Sequence, residues 1–203
     1  MTVDLAYFEE MYAANTDPWG FGERWYEHRK RQLTVAALPA RRYRSAYEPG
    51  CSIGMLSELL ADRCESLLCG DAIEAAVGQA RERLAGRRNA RVERHSLPDD
   101  WPDGAFDLVV LSEILYYFDE RQFTAIIDRV RGSIVGGGDL VVVHWRHPVV
   151  EHVLTGDEVH QRLSDLDDFQ PRCRYRDDDF VLDVLTRTPP AVRSVAEAEG
   201  LWP

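Results

Sequence analysis

Apolar runs of strand length recur along this chain and alternate with segments of helical period, and that alternation leaves few folds open. Leu108-Val109-Val110-Leu111 and Leu140-Val141-Val142-Val143 are apolar at every position, as expected of strands in a parallel sheet that is covered on both faces. The pattern predicts strands at about 45–48, 66–71, 91–94, 106–111 and 139–145, with helices at about 54–63, 73–85 and 119–134. Further on, a helix near 156–164 leads into Phe169–Arg176, where polar and apolar residues alternate. Asp177-Asp178-Asp179 then makes a turn before the apolar run Phe180–Leu185. These are the signals of an antiparallel hairpin that closes the sheet.

Ahead of the sheet, Leu5, Phe8, Met11 and Tyr12 recur at helical spacing after a capping Asp4. The breaker Asp17-Pro18-Trp19-Gly20-Phe21-Gly22 ends that helix, and a second runs from about Glu23 to Leu38, stopped by Pro39. The expected architecture is α/β, a Rossmann-like seven-stranded, mostly parallel sheet with helices on both faces and a C-terminal antiparallel hairpin. It forms one domain, with an N-terminal helical lid at 1–40, a core at 41–186 and a tail at 187–203 of unassigned role.

At 203 residues one domain suffices, and it buries a core without metal or disulfide staples. The 24 Lys and Arg against 35 Asp and Glu give a formal charge of −11 with no dense basic stripe, so nucleic acid is not an expected partner. Four cysteines without metal-ligand or C-x-x-C spacing, and no charged-then-apolar leader, lead to the expectation of a reduced, cytoplasmic protein. The apolar runs fall far short of a membrane span, so no membrane partner is expected either. The oligomeric state stays open.

In an open α/β sheet, ligands sit at the carboxyl ends of the central strands, where the strand order reverses. Three loops are expected to converge there: 48–54, 71–74 and 112–117. The first is Glu48-Pro49-Gly50-Cys51-Ser52-Ile53-Gly54, and Asp71 follows Gly50 by 21 residues at the end of the next strand. Bare backbone at Gly50 and Gly54 admits a ligand close to the turn, and a carboxylate at Asp71 suits the two hydroxyls of a ribose. A dinucleotide asks for Gly-x-Gly-x-x-Gly, whereas this chain has Ser52 and Met55 at the second and third glycine positions. Glu48 also repels a pyrophosphate and attracts an ammonium group. A nucleoside joined to a cationic amino acid is S-adenosylmethionine, and a dinucleotide oxidoreductase is disfavoured.

Together with Asp17-Pro18-Trp19-Gly20-Phe21, Trp25-Tyr26-Glu27-His28-Arg29-Lys30, the Phe106–Tyr117 stretch and Asp178-Asp179-Phe180, these motifs resemble the class I S-adenosylmethionine-dependent methyltransferases. The resemblance is narrower still to the nodulation protein S type of small-molecule N-methyltransferase, over residues 5–186. It implies the cofactor amine near Glu48 and Gly50, with Cys51, Ser52 and Gly54 as further cofactor-binding residues of the same loop, ribose on Asp71, and adenine near Ala72, Ser96 and Leu97. Ser112, Glu113 and Ile114 would flank the methyl group. Ser52 departs from the middle glycine common in this class, and serine is small enough to keep the turn. The lid would fold over the cofactor, with Tyr26 and Arg29 one helical turn apart and facing the ligand.

Methyl transfer needs an acceptor lone pair in line, exclusion of water and the handling of one proton. The candidate groups for the proton are Glu113, Tyr116, Tyr117, His144 and His147. The expected reaction is transfer from S-adenosylmethionine, leaving S-adenosylhomocysteine, to a small polar molecule. An amine such as an amino sugar, oligosaccharide or natural-product intermediate leads. An oxygen acceptor and a non-catalytic nucleoside-binding scaffold are the alternatives. His144, His147 and His152 lack a metal-ligand carboxylate spacing, so no metal is expected.

Overall fold

A computed structural model describes residues 3–202; residues 1, 2 and 203, the extremities of the expected lid and tail, lie outside the described residues. Among the described residues seven strands form one sheet in the order β3-β2-β1-β4-β5-β7-β6. They are β1 Ala46–Pro49, β2 Leu67–Asp71, β3 Ala90–Arg94, β4 Phe106–Ser112, β5 Ile134–Trp145, β6 Phe169–Arg176 and β7 Phe180–Arg187. β1 to β5 pair in parallel, and β7 inserts antiparallel between β5 and β6. The chain reverses direction across the sheet between β1 and β4, which fixes the ligand crevice at their carboxyl ends.

Period-two alternation divides the apolar runs at the centre of β4 and β5 between two buried layers. Leu108, Val110, Val141 and Val143 pack into one apolar layer with Leu60, Val77 and Ala80. Val109, Leu111, Leu140 and Val142 pack into the opposite layer with Ile126, Val130 and Leu163. The first layer is roofed by α3 Met55–Ala61 and α4 Glu74–Arg83, the second by α5 Glu120–Ser133 and α6 Gly156–Ser164. α5 begins where Asp119 accepts a bond from the Gln122 amide at 3.0 Å, and it buries Phe123, Ile126, Ile127 and Val130 at helical spacing. A reciprocal cap between Thr155 and Glu158 starts α6.

In the N-terminal region lie α1 Leu5–Ala14 and α2 Trp25–Ala36, and a short α7 Val195–Ala198 closes the tail. The expected elements are all present with ends shifted by a residue or two, except that β5 begins at Ile134 rather than near 139. Its early part contains Gly136-Gly137-Gly138, and a Cβ at Gly138 would come within 3.2 Å of the Asp107 backbone on the neighbouring strand. The glycines there are a close approach of backbones, not a break.

Candidate functional site

A cavity of about 630 Å³ opens at the carboxyl ends of β1, β2 and β4, roofed by α1, the Trp19 loop and α2. Tyr26, Glu48, Gly50, Cys51, Ser52 and Asp71 all line it. So do Ala72, Ser96, Leu97, Ser112, Glu113 and Ile114, and so do Tyr116 and Tyr117. Fourteen residues named from sequence therefore share one cavity. Arg29, Gly54, His144 and His147 do not line it.

Glu48, next to last in β1, is almost wholly buried, and among the described residues its Oε2 has no hydrogen-bond partner. Loss of water around the carboxyl pushes its pKa up to about 8. Next to it, Gly50 has φ of +72°, and a Cβ there would lie 2.4 Å from Ile114 Cγ2. Gly50 is thus required by the side chain pressed against it as well as by its backbone angle. The space beside its α-carbon is filled by Ile114 rather than left open for a ligand. Gly54, expected to bare its backbone to the ligand, faces the other way: a Cβ there would meet Ala80 at 3.2 Å. It serves the close packing of α3 on α4.

Ser52 holds the left-handed conformation, φ +50°, that a glycine adopts more cheaply. Two bonds brace it: its amide donates to Asp71 Oδ2 at 2.9 Å, and its hydroxyl pairs with Tyr12 of α1 at 2.5 Å. The other Asp71 oxygen accepts from the Ile73 amide at 3.0 Å. Asp71 therefore ties the first two loops together, with its free lone pairs left for a ligand. Burial raises its pKa while those amide bonds oppose the rise.

Glu113 also has positive φ, +60°, a strained setting for a side chain with a Cβ. Three bonds hold it there. Lys30 Nζ donates to Oε1 at 2.5 Å, and the Tyr116 hydroxyl and the Trp145 amide donate to Oε2 at 2.7 and 2.8 Å. Lys30, itself buried, also donates to Glu27 Oε1 at 3.0 Å and lies over the Tyr26 ring. One helical turn from Glu27, Arg31 is buried, its Nη1 lacking a hydrogen-bond partner among the described residues and lying 3.7 Å from Glu27 Oε2.

Glu27, Lys30 and Arg31 line the cavity and were not picked out from the sequence. The expected ligand-facing pair on this helix was Tyr26 and Arg29. Only Tyr26 faces inward, because Arg29 turns to the hairpin and donates to Asp177 Oδ2 at 2.6 Å and to the Tyr175 hydroxyl. The signal for the inward face is the spacing Glu27, Lys30, Arg31, Thr34, which falls on one side of a helix. It is polar and so escapes a search for apolar period.

The two histidines expected after β5 also lie elsewhere. His144 is fully buried, and its Nε2 accepts the Leu115 amide at 3.1 Å. Its Nδ1 must then carry the proton, which goes to His160 Nε2 at 3.2 Å; His160 Nδ1 in turn meets Asp183 Oδ2 at 2.8 Å. Burial keeps the His144 pKa low and the ring neutral. It braces the 3-10 turn Leu115–Tyr117 from beneath rather than meeting a ligand. His147 is exposed and pairs with Asp179 Oδ1 at 2.9 Å. Alternation explains the pair: His144 shares the strand face of Leu140 and Val142, which α6 covers.

Among the described residues no cluster of three or more His, Cys, Asp or Glu is arranged to hold a metal, and no helix is long and apolar enough to cross a membrane.

A family profile described as nodulation protein S (NodS) matches residues 7–153. Nodulation protein S of Rhizobium tropici is 26% identical over 130 residues, covering 63% of this chain and 55% of the relative. That of Sinorhizobium fredii is 28% identical over 108 residues, 53% and 50% of the two chains. The chain thus spans about half the length of the curated relatives it matches. Among solved structures, a candidate methyltransferase from Pseudomonas syringae is 42% identical, covers 81% of this chain and all of its own, and superposes with a TM-score of 0.73. The N-methyltransferase NodS of Bradyrhizobium japonicum WM9, solved with S-adenosylhomocysteine, shares the fold at 24% identity and TM-score 0.81, covering 91% of this chain and 98% of its own. With the profile matched over most of its length, this chain belongs to the nodulation protein S family.

Proposed function

We propose that this protein transfers a methyl group from S-adenosylmethionine to a small polar acceptor. The observation that carries the reading is a pair of buried polar atoms in one cavity, Glu48 Oε2 and Arg31 Nη1, that have no hydrogen-bond partner among the described residues. A buried polar atom without a hydrogen bond is costly, whereas an α-amino acid supplies an ammonium for Glu48 and a carboxylate for Arg31. Asp71, with lone pairs free, suits the ribose, and Ala72, Ser96 and Leu97 border the space for the adenine.

When bound, this cosubstrate supplies a methyl group on a cationic sulfur that leaves as a neutral thioether. The chain's share of the work is placement and exclusion of water. Glu48 and Arg31 fix the amino-acid end, Asp71 the ribose, and the strained 112–114 segment the ground between them and the acceptor. Tyr26, Tyr117 and Trp145 give the acceptor end aromatic walls, which favour a cationic amine over a neutral alcohol. The amine preference also draws on the structural relative described as an N-methyltransferase. Amino sugars and amine-bearing oligosaccharide or natural-product intermediates are the acceptors to test first.

Calorimetry with S-adenosylhomocysteine tests the cofactor half. Binding by the wild type that weakens at least about tenfold in Arg31→Met, for one lost charge-assisted bond, supports it. Absence of binding refutes it. A transfer screen over amine and hydroxyl acceptors tests the other half, and transfer only to protein or nucleic acid would refute it.

A further inference from the structure

Methylating an amine requires its nitrogen to shed a proton first, because the ammonium form has no lone pair. Around the acceptor end of the cavity, few groups are free to take it. Glu113 is saturated by Lys30, Tyr116 and the Trp145 amide. Lys30 is locked between two carboxylates. Burial keeps the Tyr26, Tyr116 and Tyr117 phenols protonated. His144 and His147 lie outside the lining, and His95, on the adenine side, is engaged by the Tyr47 hydroxyl at 3.1 Å.

His152 differs from all of these. It lines the cavity, and among the described residues neither of its ring nitrogens is hydrogen-bonded. Its ring stacks on Tyr116 at 3.7 Å with an interplanar angle of 18° and meets Tyr117 edge-on at 5.0 Å. The backbone around it is braced on the same turn, since the amides of Val153 and Leu154 both donate to the Tyr116 carbonyl, at 2.8 and 3.1 Å. The imidazole is therefore held in place beside the acceptor space with its nitrogens unclaimed.

We propose that His152 is the general base that takes the proton from the acceptor amine. This rests on the methyl-transfer reading above. The acceptor N–H bond breaks and an imidazole N–H bond forms. The freed lone pair makes the new N–CH₃ bond as the S–CH₃ bond breaks, its electron pair staying on sulfur, and the imidazolium then returns its proton to water. The groups facing His152 are Glu113 and the Tyr116-Tyr117 pair from the β4 loop, neighbouring Glu151, Tyr7 of α1 beside Glu151, and His144 beneath. Partial burial lowers its pKa and outweighs the pull of Glu113 and Glu151, so the ring is neutral and able to accept at pH 7.

The test uses the full chain, wild type and His152→Asn, with S-adenosylmethionine and three amines: glucosamine, ethanolamine and benzylamine. The expected result is a fall in kcat of at least about 100-fold, with KM and the calorimetric affinity for S-adenosylhomocysteine unchanged. Free imidazole restores part of the rate, and the acidic limb of the pH profile disappears. Independently of turnover, the His152 Cε1–H resonance in the wild type should titrate below about 6.5. Undiminished turnover in the variant, a failure of imidazole to rescue it, or a His152 ring charged at pH 7 overturns the assignment. A wild type that neither binds S-adenosylhomocysteine nor methylates any of the three amines instead overturns the methyl-transfer reading itself.

Discussion

Replacing Glu48 by glutamine tests the electrostatics of the cavity most directly. In the unfolded chain this carboxyl loses its proton near pH 4.5, and in the empty folded protein it keeps it to about 8. Between those values the folded state holds a proton that the unfolded state has released, so the contribution of Glu48 to stability is complete below pH 4.5 and declines as pH rises. By pH 7 the decline covers 2.5 of those units, at ~1.36 kcal/mol each about 3 kcal/mol. That figure is an upper bound, because relaxation and water entering the cavity reduce it. Thermal melts of the empty wild type should lose stability from pH 5 to 8, and Glu48→Gln should lose markedly less.

Binding reverses the situation. A ligand ammonium stabilises the carboxylate, so at pH 7, where a group of pKa about 8 is mostly protonated, binding S-adenosylhomocysteine should release close to one proton. Calorimetry in two buffers of different ionisation enthalpy measures that number. Glu48→Gln should bind more weakly and release essentially none. Proton release that is absent in the wild type, or equal in the variant, refutes the pairing of Glu48 with an ammonium group.

Asp71→Asn keeps the shape of the loop tie while weakening the ribose bonds, so S-adenosylhomocysteine affinity should drop by about 2 kcal/mol with a small change in Tm; calorimetry showing no loss removes Asp71 from the ribose. Gly50→Ala should destabilise the empty protein, since its Cβ would fall 2.4 Å from Ile114 Cγ2. Adding Ile114→Ala should recover part of that Tm loss, and no recovery would mean that the backbone angle alone demands glycine. Lys30→Met strands Glu27 and Glu113 without their shared cation, and denaturant unfolding at pH 7 should show a loss of about 3 kcal/mol that shrinks as pH falls and Glu27, whose pKa burial raises, takes up a proton. A loss independent of pH would deny the ion pairs their role.

The sheet was legible because its strands are apolar on both faces, and runs as short as Leu108–Leu111 or Leu140–Val143 have the length of a strand rather than of a buried helix. The loops that meet at the cavity were legible because their chemistry is local: Glu48, Gly50 and Asp71 stand at strand ends whose position the pattern dictates. What escaped was whatever depends on the parity of a residue or on a polar buried face. His144 and Trp145 differ by one position and so face opposite sides of the sheet, and only His144 is sealed beneath α6. Glu27, Lys30 and Arg31 turn a face of α2 inward that no count of apolar residues reveals. Arg29 found its partner in Asp177, far along the chain, where no local pattern points.

That last contact bears on the order in which the molecule is assembled. The bond from Arg29 to Asp177 joins residues 148 positions apart, and it fastens the helix that carries Lys30 and Arg31 to the tip of the final hairpin. A chain emerging from the ribosome makes α2 early and the hairpin late. Until the hairpin arrives, the helix lacks this anchor and is held at the cavity by other contacts such as the bond from Lys30 to Glu113. The floor of the site, built from β1, β2 and β4, is ready well before its wall. Cofactor affinity should therefore reach its full value only when the last strands are in place, which makes ligand binding a check on the whole chain rather than on the segment that touches the ligand.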